Sequence, residues 1–197
     1  MKIYGDTVSG NCLKVSYTAD YLGIGYEWVP VDIMKGETRT ERFLSLNPMG
    51  QVPAIALDDV RVLAQSNAII QFLAEGSVLL PRDAFLRAKV NEWLFWEQYS
   101  HEPYIAVCRF HMRYAGRSRD QREAWRVERG ERALDLMERT LRDRDWLVGD
   151  AMTVADISLL AYTRLADEGG FDLSPRGNVR AWIGRCEAAL SLEPRSR

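Results

Sequence analysis

The rhythm of apolar and polar positions changes about 75 residues into the chain. Before that point short β-rich runs alternate with short helical ones. Met1 to Tyr4 reads as a strand. Asn11 to Leu22 carries Leu13, Tyr17 and Tyr21 on one helical face, and Gly23 supplies a stop. Glu27 to Val31 predicts a strand, with Pro30 suggesting an edge or a late position because proline has no N–H for a ladder bond. Glu41 to Leu46 predicts a short helix. Ala54 to Leu57 and Arg61 to Leu63 flank Asp58-Asp59 as a hairpin, and Gln65 to Glu75 reads as a helix closed by Gly76. The order β-α-β-α-β-β-α describes a small α/β sandwich.

After Pro81 the pattern is helical nearly throughout. Phe85 to Arg113 predicts one long helix kinked at Pro103. Asp120 to Arg144 is amphipathic, with Trp125, Leu134, Met137 and Leu141 in its apolar stripe. Thr153 to Glu168 and Val179 to Leu190 follow. In DAMTVADISLLAY, Thr153 and Asp156 form a variant capping box flanked by Met152 and Ile157 as a hydrophobic staple, which is a structural device. The division is thus an α/β part over residues 1–76, a linker Gly76 to Asp83, and an all-α part over residues 84–197.

Composition removes several function classes. With 26 basic and 28 acidic residues the net charge is −2, so no general field favours nucleic acid. The three cysteines, Cys12, Cys108 and Cys186, are odd in number and far apart, which fits neither a disulfide framework nor a metal site. No run approaches the ~18 apolar residues of a membrane span, and MKIYGD has no apolar signal core, so the expected location is the cytoplasm.

Three stretches remain that bear chemistry. TVSGNCLKVS brings two hydroxyls, an amide and a thiol to one helix start. Ser9 or Asn11 serves there as a cap, or the same donors, with the positive end of the helix, hold an anion or thiolate. A thiol in the first turn, Cys12, is expected to have a lowered pKa, or else to be packed inside. NPMGQVPAI places Val52-Pro53 before a strand, where an X-Pro bond suits a cis peptide and leaves the Val52 backbone to pair with a peptide-like ligand. AQSNAII opens a second helix, with Ser66 as a natural cap and Gln65-Ser66 suited to a carboxylate.

SGNCLKV, NPMGQVPAI, AQSNAII and the TVAD helix start resemble, in this order, the cytosolic glutathione S-transferase family. The opening is most similar to bacterial members that use a Ser or Thr near the thiol. The resemblance implies a thioredoxin-like N-terminal domain joined to an all-helical C-terminal domain, assembled as a homodimer, with glutathione as co-substrate and no metal. It implies Ser9 and Asn11 as catalytic residues. Val52, beside a cis Pro53, would pair with the cysteinyl unit of glutathione, and Gln65 and Ser66 would hold its γ-glutamyl end. Gln51, Lys35, Thr38 and Arg39 would serve the glycyl carboxylate. Gln65 stands where the family usually has an acid, so the contact with the ligand's ammonium loses its charge. Ser9-Gly10-Asn11-Cys12 is similar to a C-x-x-C motif without its first Cys, which excludes a thioredoxin-type dithiol cycle.

A small electrophile would lie between the domains, with Tyr104, Arg109 and His101 as its candidate contacts. Phe72, Trp93 and Trp96 are expected to supply apolar surface for the dimer. The implied activity is attack of a glutathione thiolate on that electrophile, in a detoxifying role. Two alternatives stand beside it, a glutathione-dependent disulfide reductase or peroxidase, and a binding or regulatory module without turnover.

Overall fold

The structure, a computed structural model, describes residues 1–195. The chain divides into two compact units, Met1–Ser77 and a second that begins at Val78. Among the described residues no helix is long and apolar enough to cross a membrane.

In the first unit four strands, β1 (Lys2–Gly5), β2 (Glu27–Pro30), β3 (Ala54–Ala56) and β4 (Val62–Ala64), form one sheet in the order β2-β1-β3-β4. β1 and β2 run parallel, while β3 is antiparallel to both β1 and β4. Pro30 therefore sits on an edge strand, where its missing N–H breaks no ladder. The register aligns Ile3 with Trp28 and with Ile55, so these share one face of the sheet. Helices α1 (Gly10–Tyr21) and α3 (Ser66–Leu73) pack together, and Cys12 of α1 and Ile3, Ile55, Ile69 and Ile70 are fully buried. The short α2 (Glu41–Leu46) is capped by Thr40, whose hydroxyl accepts from the Phe43 N–H. This is the α/β sandwich that the pattern predicts, in the thioredoxin-like arrangement that the resemblance implied.

In the second unit α4 (Ala84–Trp96), capped by Asp83, runs into a π-helical turn at Glu97–His101 and continues as α5 (Glu102–Arg113). The kink expected at Pro103 is this turn. Proline offers no N–H to the Tyr99 carbonyl, and the ladder slips by one residue upstream of it. α6 (Ala124–Thr140) follows, shorter than its apolar stripe suggested, because a 3-10 turn at Leu141–Asp143 ends it. α7 (Val154–Thr163) and α8 (Gly177–Ala189) complete the unit. Its core joins Ile105, Leu134, Tyr162 and Phe171.

Two expectations are corrected. The segment read as a linker is not a spacer throughout. Leu79 and Leu80 are buried, and the Leu79 carbonyl accepts the Val154 N–H at the start of α7. Trp93 does not supply surface either. It is buried, edge-on to Trp96 at 5.2 Å, while Phe85, Phe95 and Tyr99 are the strongly exposed aromatics of the unit.

Candidate active site

β1 ends at Gly5 and the chain turns at once into α1. The Asp6 carboxylate accepts the Val8 N–H at 2.8 Å, and the Asp6 carbonyl accepts the Ser9 N–H at 3.2 Å. Ser9 then stands at the N-cap with extended backbone, φ −72° and ψ 123°, and its carbonyl begins the helical ladder at Leu13. Its side chain makes no capping hydrogen bond. The reading of Ser9 as a cap fails: its side chain instead hydrogen-bonds the Cys12 thiol.

Cys12, three residues on, is fully buried. Its Sγ accepts the Asp6 N–H at 3.4 Å. A Cβ on Gly5 would lie 2.9 Å from the Trp28 ring and 3.1 Å from this sulfur, so β1 needs glycine where the thiol and the indole converge. Burial pushes the Cys12 thiol up to about 11, and the Asp6 charge adds to the rise. Hydrogen bonds from the Asp6 amide and the Ser9 side chain oppose it without prevailing. This corrects the expectation of a lowered pKa. Desolvation of a sealed thiol outweighs the partial charge of a helix start. At pH 7 only about one such thiol in ten thousand is ionised.

The second helix start meets the first. Ser66 Oγ donates to Asn11 Oδ1 at 3.0 Å, which fixes the Asn11 amide with Nδ2 as its donor end. Ser66 is buried at the first turn of α3. Gln65 before it adopts φ 70° and ψ 109°, a left-handed backbone that side chains rarely take. Strain of this kind, ~1–3 kcal/mol, persists only where the surroundings hold it. Nothing in AQSNAII signals it, since the same letters describe an ordinary strand-to-helix turn.

Gln65 also reaches the third stretch, for its Nε2 donates to Met49 Sδ at 3.4 Å. That loop is organised by Asn47, a residue the sequence reading passed over. Its Nδ2 donates to the Gln51 carbonyl at 2.8 Å and its Oδ1 accepts the Met49 N–H at 3.2 Å. An Asn that bonds the backbone two residues on is a recognised turn former, and Asn-Pro-Met-Gly carried that signal. Gly50 has φ 61°, and a Cβ there would fall 2.5 Å from Arg39 Nη1 and 3.1 Å from the Thr38 carbonyl. Arg39 thus lies directly on the loop, and Thr38 is buried beneath it. The Val52-Pro53 peptide is cis, and among the described residues no hydrogen bond engages the Val52 backbone.

The structure therefore links Asn11, Ser66, Gln65 and the Asn47–Pro53 loop with Arg39, and leaves Lys35 apart. Lys35 pairs with Asp32 at 3.2 Å on the turn after β2, its side chain mostly exposed. The three residues expected around the electrophile do not converge within the second unit. His101 is buried with Nε2 2.9 Å from Thr163 Oγ1. That hydroxyl donates its own proton to the Leu159 carbonyl, so His101 Nε2 is the donor. Arg109 is buried against Glu168, two nitrogens each 2.8 Å from Oε2. Burial works to raise the Glu168 carboxyl, but Arg109 and Arg195 outweigh it and hold it below the usual carboxylate range. Tyr104 faces α6, with its hydroxyl 3.3 Å from Arg129 and its ring edge-on to Trp125.

Comparison with known proteins matches this geometry to one family. Residues 8–75 match the model of the glutathione S-transferase N-terminal domain, and residues 97–189 that of its C-terminal domain. Glutathione S-transferase 3 of Zea mays is 32% identical over 194 residues, 92% of this chain and 86% of that protein. The crystal structure of a glutathione S-transferase from Pseudomonas fluorescens is 48% identical with a TM-score of 0.93, covering 98% of this chain and 97% of the other. A glutathione S-transferase structure from Xanthobacter autotrophicus is 44% identical with a TM-score of 0.90, covering 95% and 92%. The chain belongs to the glutathione S-transferase family of enzymes.

Proposed function

We propose that the protein binds glutathione on its first unit and stabilises the thiolate at Ser9 and Asn11 for attack on a small electrophile. One observation carries this reading. At the start of α1 the hydroxyl of Ser9 is not spent on a cap, while the neighbouring thiol is buried and held near pKa 11. The position suits a hydrogen-bond donor to a sulfur rather than the reacting sulfur itself.

The magnitudes agree. A free thiol of pKa ~8.5 is about 3% ionised at pH 7. Lowering it two units requires ~2.7 kcal/mol of preference for the thiolate. Two charge-assisted hydrogen bonds, from Ser9 Oγ and Asn11 Nδ2, contribute ~1.5–3 kcal/mol each, and the helix dipole adds to them. Val52, with its backbone unengaged, would pair with the cysteinyl unit. Gln65, Ser66 and the N–H groups of the α3 first turn would receive the γ-glutamyl carboxylate. Among the cations, Arg39 is the better partner for the glycyl carboxylate, because it already lies on the loop that holds Gln51. Lys35 is committed to Asp32, and Thr38 is a buried support.

His101 and Arg109 are read as structural, and Tyr104 as the one partly exposed candidate of the three. A homodimer would cover Phe72 on the first unit and exposed aromatics such as Phe95 on the second. A cytoplasmic, detoxifying role fits the same reading. The test is a panel of glutathione-dependent rates on an aryl halide, a hydroperoxide and a mixed disulfide. Conjugation of the aryl halide should dominate and should fall in Ser9→Ala. A dominant disulfide rate that survives Ser9→Ala would replace conjugation with reduction. The absence of any thermal shift at millimolar glutathione would replace both with a non-catalytic module.

A further inference from the structure

Gln65 enters its helix start with its backbone pinned on both sides. Before it, Ala64 pairs with Ala54 in the sheet, and after it the Gln65 carbonyl accepts the Ile69 N–H at 2.9 Å. The left-handed backbone between these anchors, φ 70° and ψ 109°, sends the side chain out from a fixed point. The backbone does not settle how the amide at the end of that side chain is turned. The terminal torsion of Gln is broad and roughly two-fold, and turning the amide over exchanges an acceptor for a donor at nearly the same place.

One contact settles it. Gln65 Nε2 donates to Met49 Sδ at 3.4 Å. A thioether accepts and cannot donate, so it takes the NH2 end of the amide and never the oxygen. Met49 is held in turn, for its N–H is given to Asn47 Oδ1 at 3.2 Å in the loop that leads to the cis peptide. Among the described residues no hydrogen bond engages Gln65 Oε1. The oxygen is therefore the end left for a ligand.

The γ-glutamyl end of glutathione carries a carboxylate and an ammonium on one carbon. With the carboxylate at Ser66 and the free N–H groups of the α3 first turn, the ammonium needs an acceptor beside the same helix start, because it can only donate. The Gln65 oxygen serves that need and the Gln65 NH2 group opposes it. We propose that Met49 is a positioning residue for glutathione, whose sulfur holds the Gln65 amide with its oxygen toward the ligand's ammonium. The proposal rests on the reading of this helix start as the γ-glutamyl site, and Met49 acts through Gln65 rather than on the ligand. An unheld amide would present the right end about half the time, and ordering it on binding would cost more, so the sulfur should contribute about three- to tenfold in affinity.

The test is calorimetric titration of the full chain with glutathione and with glutaryl-cysteinyl-glycine, which keeps the carboxylate and lacks the ammonium. Met49→Leu keeps most of the bulk and removes the acceptor. It should weaken glutathione by about three- to tenfold and the deamino analogue by less than about twofold. KM for glutathione should rise with the first factor, while kcat and the pKa of the bound thiol stay as in the native protein. Gln65→Glu supplies the control, because both carboxylate oxygens accept and no end needs to be chosen. In that background Met49→Leu should weaken glutathione by less than about twofold. Equal weakening of both ligands, no weakening of either, or a loss that persists undiminished in Gln65→Glu would each overturn the proposal and leave the glutathione reading in place. A native protein that binds neither ligand would overturn that reading and the proposal with it.

Discussion

Helices α1 and α7 both open on a hydroxyl residue, and of these two α7 alone uses it as a cap. At the start of α7 Thr153 Oγ1 accepts the Ala155 N–H, and the Asp156 carboxylate returns to the Thr153 N–H at 2.9 Å. The same carboxylate accepts the Leu147 N–H and the Trp182 Nε1–H, each at 2.9 Å. Every one of these groups is buried. At the start of α1 Ser9 has the backbone of a cap and none of its side-chain bonds. A hydroxyl that caps its own helix holds the fold; Ser9 caps nothing and hydrogen-bonds a sulfur, the partner a thiol ligand also offers. The sequence shows a hydroxyl at both places; the hydrogen bonds distinguish them.

The largest expected effect lies on the structural side. Asp156→Ala strands three buried N–H donors at once and should cost about 3–5 kcal/mol by chemical denaturation. A loss under about 1 kcal/mol would remove the contrast between the two helix starts. Next is Ser9→Ala, which should lower conjugation by roughly 10- to 150-fold, the equivalent of ~1.5–3 kcal/mol in transition-state stabilisation. Its thermal stability should change little, because no capping bond is lost, only the hydrogen bond to Cys12. A large drop in stability with unaltered kcat/KM would make Ser9 the same kind of residue as Thr153.

Cys12→Ala should show the reverse split. It empties a small volume against Trp28, costs about 1 kcal/mol of stability, and leaves turnover within about threefold. Loss of turnover in this variant alone would turn the chemistry to thiol exchange. The ion pair in α5 extends the contrast to pH. The folded Glu168 carboxyl sits below its ordinary value, so its contribution is present above the unfolded pKa and is lost as pH falls through the folded one. Arg109→Leu should flatten that acid limb without moving the pH dependence of conjugation, if Arg109 is structural. The smallest effect concerns the β3–β4 turn. Val60 has φ 66° and is almost fully exposed. Val60→Gly should therefore stabilise the protein by about 0.5 kcal/mol, measured as a small rise in Tm.

What the sequence disclosed follows the range of the forces involved. Local devices were readable. The run Glu41 to Leu46 matches α2, the Thr153–Asp156 spacing announced a capping box, and Pro30 pointed to an edge or a late strand position. Asn11 and Ser66, 55 positions apart, each stand out at a helix start, and the structure joins them. Features set by distant packing were not readable. The thiol of Cys12 is raised because Gly5 and Trp28, on two strands, close over it. Trp93 is interior because Trp96 and the rest of its unit surround it, not because of its own letters. The left-handed backbone of Gln65 has no sequence signature, since Gln rarely adopts it. Arg39 and Lys35 are equivalent by nearness in the chain; in space Arg39 lies against Gly50, while Lys35 pairs with Asp32.

The central claim is that Ser9 donates to the thiolate of glutathione and Cys12 does not take part. The most direct measurement is the pKa of the enzyme-bound glutathione thiol, read from thiolate absorbance across pH in the native protein, Ser9→Ala and Cys12→Ala. The account requires a value well below the ~8.5 of a free thiol in the native protein, a rise of about 1–2 units in Ser9→Ala, and no change in Cys12→Ala. A bound thiol whose pKa is the same with and without Ser9, or one that moves only when Cys12 is removed, would contradict it.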